Sequence, residues 1–427
     1  MKRNKLNTLM RSFQAAWHRD TWRKLRQCDV LLVRSDGSCG YMYRGKAYST
    51  LFDSIGDLCV KRGLVTRSVA KPFALLIGSN AYNLPVSYNR YALMIALLRR
   101  GIQLISGHAD GEEWANKHRE HIWERILDKA RPCYVISSQP DVGLCRAGKM
   151  KGIPVYDLQH GVIADEHLWY GEKYRLNALS KDLPDGFLCW DEQSAMALSK
   201  WAPQKGIDVR IIGNPWFLRF LLRNPKDSLV QEATNAGKIF NNGKPVILVS
   251  LQQWLTFTYK GVMVDALEKI ILETANTYNW LLRLHPIQLR GPEKDMVQKY
   301  LVKTFGHLAS VEWLVCSELA LPIVLQQADL HLTDYSTVVI EASWMGLYSG
   351  LLSSHICPGG KYENLYLHER NLGLAMVLKQ DSIDIERWIK QTLAKGKGKS
   401  TLKIAGQALH TFIDEIAVAA KTNHRSF

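Results

Sequence analysis

The sequence predicts an α/β protein with two doubly wound domains, and three observations support this class. Short apolar runs alternate with helical stretches along most of the 427 residues. The alternation occurs in two successive blocks of about 200 residues, each the size of one domain. The composition, 47% hydrophobic and 22% charged, supports two sizeable cores. Because alternating strands and helices build parallel sheets covered on both faces, we expect two such sheets facing across a cleft.

A basic amphipathic helix is predicted for residues 1–28. This segment carries eight Lys or Arg and one acidic residue. Its apolar residues recur at three- and four-residue steps, which places them on one helix face: Leu6, Leu9, Met10, Phe13 and Trp17. Such a helix either lies on an anionic membrane surface or packs on the first domain, and both interpretations stay open.

The first α/β block covers residues 29–205. Its first strand, Asp29–Arg34, is a continuous apolar run, as expected for a strand buried on both faces. Further strands are predicted at Phe73–Gly78, Gly101–Ser106, Cys133–Ser137, Val155–Leu158 and Gly186–Trp190. Helices are predicted at Lys46–Arg62, Tyr91–Arg100 and Trp114–Ala130.

The second α/β block covers residues 206–395. Its strands are predicted at Val209–Gly213, Pro245–Leu251, Trp280–Leu284, Val311–Leu314, Ala328–Leu332 and Leu347–Leu352. Its helices are predicted at Val262–Tyr278, Lys294–Phe305, Ser336–Met345 and Ser382–Lys395. Residues 396–427 form a Gly/Lys linker and a last helix around Leu402–Ala420.

Charge and cysteine usage limit the function classes. The chain has 55 Lys or Arg and 40 Asp or Glu, a formal net charge of +15, which favours attraction to polyanions. Its eight cysteines include no CxxC pair, so a structural zinc site is not expected and the thiols are predicted to be reduced, as in a cytoplasmic protein. The sequence also lacks a P-loop, a dinucleotide fingerprint, an HExxH motif and an Asp-x-Asp after a strand. We therefore expect no cofactor and no metal.

Two polar motifs follow predicted strands in the first block. Asp157-Leu158-Gln159-His160-Gly161 follows Val155, and Asp157 or His160 could serve as acid or base beside a flexible Gly161. Asp191 follows the strand that ends at Trp190 and could serve as a nucleophile or base. The alternative for both aspartates is that they cap helices.

Two further motifs follow strands in the second block. Arg283-Leu284-His285-Pro286 combines a cation, an imidazole and a fixed backbone, which suits a phosphate diester. The segment Thr333–Thr337 opens a helix that contains Glu341, and its hydroxyls at Ser336 and Thr337 suit an anion. A plain helix cap at Ser336 or Asp334 is the alternative. Six residues at or just after strand ends are predicted to line the donor/acceptor cleft: Arg34, Gln159, Gly161, Asn214, Ser250 and Gln252.

These motifs resemble those of GT-B glycosyltransferases that use CMP- or CDP-activated donors. The order QHG at 159–161, HP at 285–286 and a serine turn at Ser336 carries the resemblance, which spans most of residues 29–390. Within the group, Asp29–Arg34 followed by Gly45-Lys46-Ala47-Tyr48-Ser49 looks most like the retaining β-Kdo transferases of O-antigen and capsule synthesis. The resemblance implies two Rossmann-like domains.

The resemblance also implies roles for individual residues. His285 and Ser336 would hold the CMP phosphate, with Glu341 on the ribose. Asp157 would act in acid/base chemistry. A carboxylate nucleophile would form a covalent sugar adduct, and Asp191 is our assignment for it.

The expected activity is transfer of Kdo from CMP-β-Kdo to a lipopolysaccharide O-antigen or capsule glycan, with retention. The expected partners are this donor, a lipid-linked or lipopolysaccharide acceptor and the membrane surface, with no nucleic acid. The expected location is cytoplasmic, peripheral on the inner face of the bacterial cytoplasmic membrane. Three alternatives stay open: an inverting CMP-sialyl or CDP-polyol transferase, a nucleotide-sugar epimerase, and a non-enzymatic polyanion-binding protein.

Overall fold

The computed structural model describes residues 10, 12–17, 19–221, 224–252, 262–290, 293–400 and 406–424. The chain divides into an N-terminal domain, residues 1–222 with 404–427, and a C-terminal domain, residues 223–403. Much of the predicted helix at 1–28 lies outside the described residues. Residues 12–17 are helical, as that prediction requires.

The N-terminal domain is built on a six-stranded parallel sheet with the order β4-β1-β5-β6-β7-β8. Its strands are β1 (Val30–Arg34), β4 (Thr66–Ala70), β5 (Tyr134–Ser137), β6 (Val155–Leu158), β7 (Gly186–Cys189) and β8 (Asp208–Ile211), with an antiparallel hairpin of β2 (Tyr41–Tyr43) and β3 (Lys46–Tyr48). Its helices are α1 (residues 12–17), α2 (Phe52–Lys61), α3 (Asn89–Ser106), α4 (His108–Ala130), α5 (Val142–Lys151), α6 (Glu172–Arg175), α7 (Glu192–Ser199), α8 (Pro215–Leu221) and the last helix, Gly406–His424. Short 3-10 helices lie at Trp22–Lys24, Asp36–Ser38, Gly78–Asn80, Ser180–Asp182 and Pro203–Lys205.

Three predicted elements of this domain are wrong. The next strand of the six-stranded sheet after β1 is β4 at Thr66–Ala70 and not Phe73–Gly78. As an edge strand it can keep polar residues at its exposed end, which hides it from a search for apolar runs. The predicted strand Gly101–Ser106 is the last part of helix α3. The predicted helix Lys46–Arg62 begins only at Phe52, since β3 occupies Lys46–Tyr48.

The domain boundary lies later in the chain than the predicted residue 206. Strand β8 pairs in parallel with β7 through Asp208–Ile211, so it completes the N-terminal sheet. The last helix also returns to this domain, where the Phe412 ring packs edge-on against Tyr156 at 5.5 Å. Arg210, on β8, pairs with Glu415 of the same helix. Long-range pairing of this kind cannot be read from the local period of the sequence.

The C-terminal domain is built on a second parallel sheet, with the order β11-β10-β9-β12-β13-β14. Its strands are β9 (Val246–Ser250), β10 (Asn279–Arg283), β11 (Val311–Glu312), β12 (Leu330–Thr333), β13 (Tyr348–Leu351) and β14 (Ala375–Val377). Its helices are α9 (Ser228–Thr234), α10 (Asp265–Thr274), α11 (Pro286–Arg290), α12 (Lys294–Phe305), α13 (Val315–Glu318), α14 (Leu321–Gln327), α15 (Val338–Trp344), α16 (Leu367–Asn371) and α17 (Ser382–Leu393), with a 3-10 turn at Ser354–Ile356. The last helix of the chain, Gly406–His424, is α18.

Burial explains why the strands form where the apolar runs occur. All five residues of β1 are buried, and the inner strand β9 is buried at four of five positions. The eight cysteines are free thiols, seven of them buried. Among the described residues, no helix is long and apolar enough to cross a bilayer.

The strand order fixes where ligands can bind. In open parallel sheets the crevice lies beyond the carboxyl ends of the strands, at the point where the strand order reverses. That point lies between β1 and β5 in the N-terminal sheet and between β9 and β12 in the C-terminal sheet. Each domain therefore has one expected site, and the predicted motifs follow the strands around both.

Candidate functional site

The C-terminal half-site is the set of residues beyond the carboxyl ends of β9, β10 and β12. These three strands are neighbours in the sheet, in the order β10-β9-β12. The predicted residues Gln252, His285 and Ser336 follow them respectively. Parallel strands end at the same edge, so the fold brings the three motifs together.

A chain of hydrogen bonds joins the loop after β10 to the loop after β12 by way of the loop after β9. The His285 N–H donates to Gln288 Oε1 at 3.0 Å, and Gln288 Nε2 donates to the Gln252 carbonyl at 3.1 Å. Gln252 Oε1 in turn accepts the Tyr335 N–H at 3.0 Å. Gln288 is completely buried, and our sequence analysis did not identify it. Its position three residues after the histidine of the His-Pro pair was the sequence feature that could have identified it.

His285 is arranged as a neutral hydrogen-bond donor. Its Nδ1 accepts the Ile287 N–H at 3.3 Å, so the ring proton belongs on Nε2. Burial lowers the pKa of His285 to about 4. The ring therefore offers an N–H dipole to a ligand and carries no charge at pH 7. Pro286 fixes the backbone at the first position of α11, where its missing N–H costs nothing.

The serine turn presents hydroxyl groups. Thr333 Oγ1 donates to the Ser250 carbonyl at 2.9 Å and accepts the Ser336 N–H at 3.3 Å, which holds the turn in place. Ser336 Oγ accepts the Val338 N–H at 3.4 Å, so part of its role is to cap α15. The Thr337 side chain, at the N-cap of α15, makes no capping hydrogen bond. Because α15 has only seven residues, we assign the anion-binding capacity to the two hydroxyls and not to the helix dipole.

Glu341 is a buried carboxyl group in α15. It is 8% exposed and has no hydrogen-bond partner among the described residues. Burial raises the pKa of Glu341 to about 8, with the charge of Arg283 opposing this shift. A ligand hydroxyl could donate to the Glu341 carboxyl oxygens, for which no hydrogen bond is found among the described residues. This environment fits the ribose role that the resemblance implies.

Arg283 is held by the protein itself. Its Nη1 donates to the Cys316 carbonyl and to the Leu319 carbonyl, the latter at 2.9 Å. Burial lowers the pKa of Arg283, and the nearby Glu341 partly offsets this effect. The arginine braces the loop after β10 and balances Glu341; direct contact with phosphate stays a prediction.

Asp334 and an aromatic cluster lie beside the serine turn. Asp334 is 6% exposed, and its Oδ1 is buried without a partner in the described part of the chain. Burial raises the pKa of Asp334 to about 6, opposed by His355 and Ser353. The Tyr335 ring lies 5.8 Å from that of Tyr362 and 6.5 Å from that of His355. Such rings can stack on a nucleobase. Tyr335 lies inside the predicted Thr333–Thr337 segment, whereas the sequence analysis did not identify Tyr362 and His355, which come from a later loop.

The N-terminal half-site is the set Lys71, Asp157, His160, Trp169 and Arg175, which lie at the carboxyl ends of β4 and β6 and in the segment that follows β6. Lys71 Nζ donates to the carbonyls of Ser138 and Gln139, just after β5. Gln139 has a φ of 43°, a strained value for a residue with a side chain. This strain lies at the reversal of strand order, where ligands bind.

Asp157 is locked inside this half-site. It is 1% exposed, and its two oxygens accept the Gln139 N–H and Trp169 Nε1–H, both at 2.7 Å. Burial raises the pKa of Asp157 to about 7, opposed by these two hydrogen bonds and by Lys71 and Arg175. Its hydrogen bonds position Gln139 and Trp169. A direct acid/base role would require Asp157 to become accessible.

His160 is the exposed acid/base group of the N-terminal half-site. Protein atoms around the ring partly desolvate it, and the positive charge of Lys71 adds to the effect, which lowers the pKa of His160 to about 4. The imidazole is therefore neutral at pH 7 and can accept a proton. Arg175 lies 4.1 Å from the Trp169 ring and donates to the Trp169 carbonyl at 2.6 Å. This arginine and Lys71 make the half-site attractive to anions.

Four residues predicted to line the cleft or its loops are in the interior instead. Arg34 is 1% exposed and pairs with Asp53 at 2.6 Å. Gln159 is 1% exposed, accepts the Trp190 N–H and donates to Gly161 and Ser194, so it shapes the loop of His160 and Gly161. Ser250 bonds His331 at 3.0 Å, and Asn214 accepts the first N–H groups of α8. Their side chains satisfy buried backbone and side-chain groups, which sequence position alone does not reveal.

Asp191 is the N-cap of α7. Its Oδ1 accepts the Ser194 N–H at 2.8 Å, the capping alternative from the sequence. Asparagine caps as well as aspartate, so Asp191→Asn should leave the melting temperature and kcat nearly unchanged, while Asp191→Ala should cost about 0.5–2 kcal/mol of stability. Calorimetry and initial rates measure both. A kcat of Asp191→Asn reduced about 10³-fold or more would restore the nucleophile assignment.

Comparison with known proteins gives the fold. No protein-family model matches the chain, and a search of curated proteins finds no match. UDP-GlcNAc 2-epimerase from Neisseria meningitidis, bound to UDP-GlcNAc, is 14% identical with a TM-score of 0.54, covering 91% of this chain and 99% of its own. The Methanocaldococcus jannaschii enzyme in complex with UDP-GlcNAc and UDP is 13% identical with a TM-score of 0.54, covering 90% and 99%.

A polymerase has the same fold. The wall teichoic acid polymerase TagF, soaked with CDPG, is 12% identical with a TM-score of 0.55, covering 99% of this chain and 96% of its own. At these identities the similarities show the fold alone. The chain therefore has the predicted GT-B fold of two Rossmann-like domains.

Proposed function

We propose that the protein is a GT-B transferase that moves a glycosyl or polyol-phosphate group from a cytidine-nucleotide donor to a hydroxyl acceptor. The observation that carries the proposal is the hydrogen-bond chain from His285 through Gln288 and Gln252 to Tyr335. This chain positions the neutral N–H donor of His285 and the serine turn at Ser336 near the point where the strand order reverses, between β9 and β12. A buried carboxyl group, Glu341, for which no hydrogen bond is found among the described residues, lies in the helix that follows this turn.

Each residue of the C-terminal half-site has a part in this proposal. His285 Nε2–H and the hydroxyls of Ser336 and Thr337 donate to the nucleotide phosphate as negative charge develops on it. Glu341 accepts from the ribose hydroxyls. Three donors of this kind can stabilise a departing phosphate without a divalent metal, in line with the expectation of no metal.

His160 is the base in the proposed reaction. It takes the proton from the acceptor hydroxyl as that oxygen attacks the donor and the bond to the leaving phosphate breaks. The leaving nucleotide keeps the electron pair of the broken bond. Asp191 is engaged as a cap, so the structure favours one direct displacement with inversion over the retaining scheme expected from the sequence.

The donor and acceptor follow from the resemblance. CMP-β-Kdo is the first donor we propose, with a lipopolysaccharide or capsule glycan, or its lipid-linked precursor, as acceptor. A CDP-activated polyol is the second donor, because TagF, which shares the fold, was soaked with CDPG. Nucleotide-sugar epimerisation is the competing function, because epimerases bound to UDP-GlcNAc share the fold over 91% of this chain.

The test measures nucleotide release and product together. Purified protein is incubated with CMP-Kdo, a CDP-polyol or UDP-GlcNAc, each with and without a glycan acceptor. We expect release of CMP to depend on both a cytidine donor and the acceptor, with a new glycan product by mass spectrometry. Conversion of UDP-GlcNAc to its C2 epimer without acceptor would establish the epimerase instead. Lack of turnover and of binding with every cytidine donor would reject the proposal.

Glu341 makes nucleotide binding dependent on pH. The free carboxyl group has a pKa of about 8 and ribose hydroxyls bind its ionised form, so nucleotide affinity should rise by up to about tenfold per pH unit from pH 6.5 to 8. Calorimetric titration with CMP in buffers of different ionisation enthalpy should show proton release. Because the phosphate of CMP itself titrates near pH 6, Glu341→Gln gives the baseline and should lack the added dependence. Equal pH dependence in both proteins would remove Glu341 from the site.

A further inference from the structure

Helix α3 turns its hydrophobic stripe toward solvent. Five large apolar side chains are between 43% and 86% exposed: Met94, Leu97, Leu98, Leu104 and Ile105. Residues separated by three, four or seven positions share one helix face, so these five form a single stripe, the α3 apolar stripe. The opposite face buries Ala92 and Ile95. An amphipathic helix normally packs its widest apolar stripe against the core. In α3 the narrower apolar face packs against the core and the wider one is exposed.

Helix α1 extends the apolar surface. Phe13 is 49% exposed and Trp17 is 83% exposed. Arg90, at the start of α3, donates to the carbonyls of Ala16 at 3.1 Å and Trp17 at 2.9 Å and thereby fixes α1 beside α3. The two helices line a shared groove of about 750 Å³.

The exposed end of α3 is a corner of the fold. Gly107, with a φ of 94°, ends α3, and α4 begins at His108. Only glycine takes this backbone conformation without strain, so the corner is sharp. Leu104 and Ile105, the most exposed of the five at 83% and 86%, lie in the last turn before it.

Basic side chains lie beside the apolar surface. Arg90 and Arg100 are exposed on α3 itself, and Arg19 is exposed just after α1. The first 28 residues carry eight Lys or Arg against one acid, within a chain of net charge +15. Apolar side chains combined with basic ones are typical of helices that lie in the interface of anionic membranes, where Trp is also enriched.

We propose that the α3 apolar stripe, together with Phe13 and Trp17, is the surface that docks the protein on an anionic lipid bilayer. Leu104 and Ile105 enter the acyl boundary, and Arg90 and Arg100 contact lipid phosphates. The docking proposal deepens the proposed function, because docking brings the enzyme to acceptors carried by lipid. The part that concerns these acceptors rests on the proposed function. The charge complementarity selects an anionic lipid surface over a second copy of this chain, which would bring like charges together.

Vesicle flotation tests the docking surface. Wild-type protein, Leu104→Ser/Ile105→Ser and the control Val302→Ser/Ile383→Ser are mixed with vesicles of phosphatidylcholine, with or without phosphatidylglycerol. Val302 and Ile383 are 61% and 64% exposed and lie in the C-terminal domain, so the control removes comparable apolar surface elsewhere. We expect wild type and control to float with anionic vesicles, and the α3 variant to bind about tenfold or more weakly at an unchanged melting temperature.

Two outcomes would overturn the docking proposal. One is equal vesicle binding by the α3 variant and the control. The other is a wild-type dimer, seen by light scattering, that the α3 variant turns into a monomer while neither binds vesicles; a second copy would then cover the stripe. Nucleotide binding by calorimetry is measured on the same variants, so failure of docking with nucleotide binding intact leaves the proposed function standing.

Discussion

Replacing His160 by alanine should lower kcat of the proposed transfer by about 10²–10⁴-fold, the usual contribution of a positioned general base. Donor affinity should change little, because the residues proposed to bind nucleotide belong to the C-terminal domain. Surrounding protein atoms and Lys71 hold the pKa of His160 near 4, so at pH 7 the ring is neutral and a ring nitrogen is free to take the proton of the acceptor hydroxyl.

The pH profile adds a second readout for His160. Its lowered pKa keeps the base form present above about pH 4, so kcat should be level near neutral pH and should fall as pH drops through about 4. Initial rates measured from about pH 4 to neutral pH show where kcat begins to fall. An acid limb near pH 6.5, the ordinary value for histidine, would show that the environment of His160 is not the one described.

His121→Ala is the matched control for His160. His121 is an exposed histidine of α4, 56% exposed and 3.7 Å from Glu124. Its removal should leave kcat unchanged. If His160→Ala retains turnover within about threefold of His121→Ala, His160 is not the base and Asp157 returns as the candidate.

Replacing His285 by alanine should remove about 2–4 kcal/mol of transition-state stabilisation, a loss of about 30- to 10³-fold in kcat. The Nε2–H is placed by the bond from the Ile287 N–H to Nδ1, and the backbone by the bond to Gln288. A donor prepared in this way gains most when charge develops on the phosphate. The loss should therefore be larger in kcat than in donor affinity.

The variant His285→Gln distinguishes the contribution of the hydrogen bond from that of the imidazole ring. The side-chain amide of His285→Gln can still donate where Nε2–H did, so this variant should recover part of the activity lost in His285→Ala. Steady-state kinetics with the same donor and acceptor compare the two. Full turnover by His285→Ala, or equal losses in both variants, would contradict a hydrogen-bond donor to the leaving phosphate.

Local sequence patterns predicted most strands but could not assign all apolar runs. The run at Val30–Arg34 is a buried strand, whereas the similar run at Gly101–Ser106 ends a helix and exposes Leu104 and Ile105. Both runs are short and apolar, and period alone does not separate a strand from a helix segment at this length. The difference depends on what packs against each run.

The candidate site was predicted in part. His285, Ser336 and Glu341 lie where the sequence suggested, because motifs that follow parallel strands share one edge of the sheet. Gln288 and Tyr335, which join the loops, were not singled out as binding residues. Arg34, Gln159 and Ser250 have polar side chains after strands, yet their hydrogen bonds are inside the protein.

The sequence by itself determined the fold class, the approximate positions of most strands and the polar motifs at their ends, since these depend on residue period and local turn chemistry. Tertiary structure decided the strand order, the return of α18 to the N-terminal domain, the exposure of the α3 apolar stripe and the protonation of His160 and Glu341. Each of these depends on contacts between residues far apart in the chain. Burial, and with it the electrostatic environment of a side chain, is a property of those contacts and not of the local sequence.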